Sequence, residues 1–192
     1  MLENWPKKWD SHWIKENNIW DIVVYGSYIR GKTKAKEIDI AVILDKTIPI
    51  KKKWALNQEL KRKISLKDKN LDIKTLDFKD LINPGNLNRE AVLAEGYSLI
   101  KKDYLAERFG FKAMAQVEYS LNKLTPAKQK MFYYTLQGRK KGTGILSRLG
   151  GRIISKGVLE VPTQEYEEIN SLLIEKGISY RTTFVLRYRI LH

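Results

Sequence analysis

Two apolar runs of strand length, IWDIVVY at 19–25 and EIDIAVIL at 37–44, flank a short basic and polar stretch that opens on Gly26-Ser27. Both runs are rich in Ile and Val, whose branched β-carbons suit an extended, pleated backbone, so the chain is committed early to a sheet with a turn between two of its strands. Side chains alternate along a strand, which sends Glu37 and Asp39 to one face while Ile38 and Ile40 go to the core. Two carboxylates at the mouth of a sheet repel each other unless a cation sits between them. Oxygen donors favour magnesium or manganese.

Composition removes the competing chemistries. The chain of 192 residues has no cysteine, which excludes disulfides, thiolate zinc sites and cysteine nucleophiles, and it has only two histidines, His12 and His192. Carboxylates are left to act. Gly26 allows close backbone approach to phosphate oxygens, and the N–H groups of the following turn and the Ser27 hydroxyl are donors for them, with Arg30 and Lys32 nearby to add charge. A Gly-Ser pair alone punctuates many chains, and a carboxylate-apolar-carboxylate strand alone is equally a solvated sheet edge. Their order along the chain is what points to phosphate chemistry.

The remaining N-terminal segments fit around such a sheet. Trp5, Trp9 and Trp13 at spacings of four predict a helix over 4–17 with Asn4 as its cap. Leu56, Leu60 and Ile64 predict an amphipathic helix over 51–64 with a basic outer face. LDIKTL at 71–76 reads as a third strand, and Asp77 followed by Asp80 as a helix start; Asp72 is the candidate third carboxylate, preferred to Asp68 in a Lys-rich turn and to the capping Asp77. REAVLAEGYSLIKKD at 89–103 reads as a helix ending at Gly96 with a short strand after it.

Beyond residue 103 the pattern turns helical, over 104–122 and over 126–137, where Thr125-Pro126 supplies cap and first turn. A glycine-punctuated stretch then carries a hairpin at 152–154 and 158–161, followed by a helix at 163–176 and a strand at 178–188. The expected division is a 1–105 α+β domain and a smaller 106–192 basic domain of helical, winged character. Lys128, Lys130 and Arg139, interleaved with Tyr133 and Tyr134, form a candidate nucleotide-facing surface, and Arg139-Lys140-Lys141 with Arg148 and Arg152 a candidate contact for a phosphate backbone. Core packing of Phe132, Tyr133 and Leu136 with solvated lysines accounts for the same residues.

Thirty-six basic against 22 acidic side chains give a net charge of +14, which favours a polyanionic partner such as RNA or DNA. Lys and Glu enrichment without cysteine also describes adaptation to heat. No run approaches the roughly 20 apolar residues of a membrane span, so a cytoplasmic protein with no membrane partner is expected.

The segment VVYGSYIRGKTKAKEIDIAVIL resembles the signature of the DNA polymerase beta-type nucleotidyltransferase superfamily, with Leu71-Asp72-Ile73 matching its later carboxylate strand and REAVLAEGYSLIKKD the segment that closes its minimal domain. The resemblance covers roughly residues 5–103. It implies a mixed sheet with flanking helices and transfer of a nucleotidyl group from an NTP such as ATP. By that resemblance Gly26 and Ser27 would grip the triphosphate; Arg30, Lys128 and Lys130 are candidate nucleotide contacts on the residue reading alone. Glu37 and Asp39 would hold two divalent ions, Mg²⁺ or Mn²⁺, and Asp72 would bind the catalytic ion and take the acceptor proton. The superfamily usually has Asp where Glu37 stands, and the extra methylene moves its oxygens by about a bond length. Acceptors in the superfamily are nucleic acids, small molecules and proteins. A nucleic-acid-binding or antitoxin-like module with little catalysis, or a protein nucleotidylyltransferase, are the alternatives.

Overall fold

A computed structural model describes residues 5–6, 8–32, 35, 37–64, 70–140 and 143–188. Asn4, Asp68, Lys141 and His192 lie outside them. The chain divides into two compact units, Met1–Phe109 and Gly110–His192.

The first unit opens on α1 (Ser11–Glu16), shorter than the helix expected from residue 4. Asp10 is the cap, its carboxylate accepting from the His12 N–H at 2.9 Å, so the helix begins only where an N-cap acceptor is available. Trp5 is nonetheless buried, and Trp9 stacks on Trp13. Strands β1 (Ile19–Tyr25) and β2 (Glu37–Leu44) follow, then α2 (Ile50–Lys63), β3 (Asn70–Asp77), α3 (Phe78–Ile82), α4 (Asn88–Glu95), β4 (Tyr97–Ser98) and α5 (Leu105–Arg108).

The sheet runs β3-β2-β1-β4; β2 pairs antiparallel with β1 and parallel with β3, and α2 makes the crossover that parallel strands require. Helices cover both faces, which is why β1 and β2 read as nearly continuous apolar runs. On one face Ile38, Ile40, Val42 and Leu44 pack with Trp13, Leu56 and Leu60. On the other, Val23, Tyr25, Ala41 and Ile43 pack with Leu81, Val92 and Leu105 of α3, α4 and α5. Asp39 and Asp72 belong to this second face by alternation.

The second unit contains β5 (Phe111–Ser120), α6 (Pro126–Gln137), α7 (Ile145–Arg148), β6 (Arg152–Ser155), β7 (Val158–Pro162), α8 (Tyr166–Glu175) and β8 (Ser179–Tyr188). It is built on an antiparallel sheet in the order β6-β7-β5-β8, a βαββαβ arrangement of ferredoxin-like type. The helix expected over 104–122 is thus the short α5 followed by a ten-residue strand, and the unit is a sheet with helices packed against it rather than a winged helical domain. Ala, Met, Gln and Glu made β5 look helical, but apart from the buried Met114 its burial follows period two. Ala113, Ala115, Val117 and Tyr119 are buried, and the last three pack on Phe132, Leu136, Ile169 and Leu173. Tertiary pairing with β7 and β8 overrides the local propensity. Among the described residues, no helix is long and apolar enough to cross a membrane.

Candidate active site

The site forms where β1 ends. Gly26 has φ of +76°, a left-handed conformation that turns the chain out of the sheet into a single 3-10 turn, Gly26–Tyr28. A β-carbon on Gly26 would lie 2.5 Å from Asp39 Oδ2, so glycine is required both for the turn and for the close approach of the carboxylate. Strand register brings the acids together: Tyr25 pairs with Asp39, and Asp39 pairs with Asp72. Three neighbouring strands therefore deliver a turn, a first carboxylate and a second carboxylate in one row.

Burial is the main cause that pushes the Asp39 carboxyl above its ordinary range, and the charge of Asp72 adds to it; Lys74 and Arg30 act in the opposite sense. Lys74 Nζ stands 3.3 Å from Asp72 Oδ2 and donates to Asn88 Oδ1 at 3.1 Å. Glu37 lies exposed at the rim, where its Oε1 accepts from Asn70 Nδ2 at 3.3 Å. Among the described residues, no three acidic or histidine side chains converge into a complete metal cage. Asp39 and Asp72 form a pair, with Glu37 outside it.

Arg30 has a different first duty from the one its sequence position suggested. Its NH1 donates to both oxygens of Glu95, at 2.7 and 2.8 Å, and Glu95 Oε2 also accepts from the Gly26 N–H at 3.0 Å. Glu95 is buried at the end of α4. A carboxylate at a helix C-terminus opposes the helix dipole, and burial adds a desolvation cost, so Arg30 and the Gly26 N–H supply the compensation. An acid closing the apolar run AVLAE was the signal in the sequence. Tyr25 is a second residue that sequence reasoning missed. Its hydroxyl is buried without a hydrogen-bond partner among the described residues, and burial followed by the charges of Asp39, Asp72 and Glu95 pushes its pKa upward.

Gly26, Ser27, Arg30, Asp39 and Asp72 thus assemble within the first unit, with Glu37 at the rim. Lys128 and Lys130 stand on α6 of the second unit. Lys128 lines a pocket of about 330 Å³ with Met131, Phe132 and Glu175, and Lys130 lies over the Tyr134 ring. The basic cluster expected there is partly consumed by ion pairs, Arg148 with Glu168 and Arg152 with the fully buried Glu160.

A family model described as polymerase beta, nucleotidyltransferase matches residues 8–105. No curated protein matches the chain. Among solved structures, the chain is similar to two mutants of the toxin-antitoxin MntA-HpeT, each at 25% identity over 45% of this chain. The match covers 65% and 63% of theirs, with TM-scores of 0.32 and 0.31. A toxin-antitoxin with AMP-PNP is 26% identical over 45% of this chain and 65% of its own, with a TM-score of 0.33. The chain spans less than two thirds of the length of these structures.

Proposed function

The chain belongs to the polymerase beta nucleotidyltransferase family, and from that premise we propose that it transfers a nucleotidyl group from a nucleoside triphosphate, ATP among them, to a hydroxyl of a nucleic acid, releasing pyrophosphate. The observation that carries this reading is the register that sets Tyr25 beside Asp39 and Asp39 beside Asp72, with the Gly26 turn against the Asp39 carboxylate.

The residues fit a divalent cation. Asp39 and Asp72 are hard oxygen donors on adjacent strands; burial raises the Asp39 carboxyl most, the charge of Asp72 adds to it, and a cation relieves that added repulsion. Magnesium is commonly held by one or two carboxylates, with substrate phosphates and water completing its shell, so a pair suffices without a full protein cage. Asp39 and Asp72 are assigned to Mg²⁺ or Mn²⁺, with Glu37 as a donor from the rim. When bound, the ion neutralises charge on the triphosphate and the departing pyrophosphate.

The protein's own groups do the rest. Ser27 and the turn N–H groups hold the triphosphate, and Glu95 fixes the turn. Asp72 accepts the proton of the acceptor hydroxyl as its oxygen bonds to the α-phosphorus; the bond from that phosphorus to the bridging oxygen breaks, and its electron pair leaves with pyrophosphate. The net charge of +14 supports a polyanionic acceptor. A second reading, a regulatory module that binds nucleic acid and turns nucleotides over slowly, is favoured by the contact of Glu37 with Asn70 rather than with the aspartate pair.

Incubation with each labelled NTP, Mg²⁺ or Mn²⁺, and bulk tRNA or single-stranded DNA separates the readings. Metal-dependent label on nucleic acid that is lost in Asp39→Asn and Asp72→Asn supports transfer. Binding with steep salt dependence and no label favours the regulatory module. Label on protein alone reassigns the acceptor.

A further inference from the structure

Between α2 and the edge strand β3 lies a cleft of about 240 Å³, walled by Trp54, Gln58 and Lys61 on the helix and by Ile73 and Asp72 on the strand. Trp54 is 68% exposed, whereas Trp5 and Trp13 are 4% and 6% exposed in the core. Its indole gains little from folding where it stands. The cleft is built rather than incidental, because Asn57 pins its floor, donating to the Ile73 carbonyl at 3.2 Å and accepting from the Thr75 hydroxyl.

Its chemistry is that of a site for one nucleotide of a strand. Trp54 offers a flat π-face, the Gln58 amide a donor and an acceptor for a base edge, and Lys61 a charge for phosphate. Helix α2 carries Lys51, Lys52, Lys61 and Arg62 besides Lys53, which pairs with Asp77 and Asp80, and Lys63, which pairs with Glu59; among the described residues Lys61 makes no ion pair. That is charge complementarity to a polyanion.

Sheet order says which substrate belongs there. The strands run β3-β2-β1-β4, so Asp72 stands at one side of the carboxylate row and the Gly26 turn at the other. A triphosphate on the turn approaches from the β1 side; the Asp72 carboxylate lies with Asp39 on the face opposite the cleft, so a strand seated in the cleft brings its end to the carboxylate row by passing round the open β3 edge. We propose that the α2–β3 cleft docks the 3′ end of a single-stranded nucleic acid acceptor, with Trp54 as its stacking platform and Lys61 on its backbone. This rests on the nucleotidyl-transfer reading for the role of Asp72, but the docking itself is measurable without transfer.

Short oligouridylate and oligothymidylate labelled with fluorescein at the 5′ end, titrated by anisotropy, test it. The wild type is expected to bind at least one of them. Trp54→Ala should weaken binding about tenfold, with Trp54→Phe recovering most of it, because any aromatic ring offers a face on which a base stacks. Lys61→Ala should reduce the slope of log affinity against log salt by about 0.7, one backbone contact to a single strand. Affinity for fluorescent ATP should not change in either variant. Equal oligonucleotide affinity in wild type and Trp54→Ala overturns the proposal, as does a wild type that binds neither oligonucleotide. Trp54-dependent binding with no metal-dependent label from any NTP leaves the cleft standing and removes the transfer reading instead.

Discussion

Glu95 accepts from the Gly26 N–H at 3.0 Å, so a buried acid at the end of α4 fixes the first residue of the turn assigned to the triphosphate. The same carboxylate holds Arg30, whose side chain is itself only 23% exposed. Removing one partner of a buried pair leaves the other charge uncompensated, which costs more than the pair is worth. Glu95→Ala is expected to lower stability by about 3 kcal/mol in urea denaturation and to weaken fluorescent-ATP binding more than tenfold. Glu95→Gln keeps an oxygen for Gly26 and should fall between Ala and wild type in both measurements. If the three proteins are equally stable, the contact does not organise the turn.

Asp39 illustrates a conflict between folding and function. Its carboxyl is raised chiefly by burial and then by Asp72, so ionising it costs more in the folded chain than in the unfolded one. Asp39→Asn removes that cost while keeping the shape. The variant is expected to melt a few degrees higher than wild type in metal-free buffer, and to lose both nucleotide transfer and the rise in Tm that Mg²⁺ with ATP gives the wild type. A variant that melts lower, or that still responds to Mg²⁺ with ATP, would place the cation elsewhere.

Tyr25 raises a related question. A buried hydroxyl without a partner costs on the order of 1–3 kcal/mol, and this one sits among Asp39, Asp72 and Glu95. Tyr25→Phe should therefore stabilise the ligand-free protein by about 1 kcal/mol. If the hydroxyl is kept to meet a bound nucleotide or its ion, the same variant should lose affinity for Mg²⁺-ATP severalfold. Greater stability with unchanged affinity would make it an inert remnant.

The sheet was legible because its signals are local. The runs at 19–25 and 37–44 are largely buried on both faces, so apart from Asp21, Glu37 and Asp39 apolar residues fill them, and their boundaries are those of β1 and β2. Asp77 and Asp80 read as a helix start and form a capping box. Strand β5 was not legible, because what makes it a strand is pairing with residues 158–162 and 179–188, far along the chain, against the helical leaning of its own residues. The site divides in the same way. Gly26, Asp39 and Asp72 announce themselves by residue type and spacing. Glu95 and Trp54 acquire meaning only once α4 closes on the turn and α2 lies along β3.

Asp77, where β3 passes into α3, sets the last expectation. The Thr47 hydroxyl donates to its Oδ2 at 2.7 Å, and the N–H groups of Lys79 and Asp80 donate to its Oδ1 at 3.0 and 3.1 Å. The Thr47 bond is the largest cause holding this carboxyl below its ordinary range, with the Asp80 N–H and Lys53 acting in the same direction. A depressed value in the folded state means that the unfolded chain takes up the proton first on acidification. The stabilisation is therefore complete above about pH 4, the ordinary carboxylate value, and is lost as the pH falls through the lower, folded value. Thr47→Val should cost about 1 kcal/mol at neutral pH. The gap from wild type, followed by urea denaturation at successive pH values, should close once the solution is acid enough to protonate Asp77 in the folded protein. A gap that stays constant across that range would mean that Thr47 acts through packing and that the carboxylate bond contributes nothing.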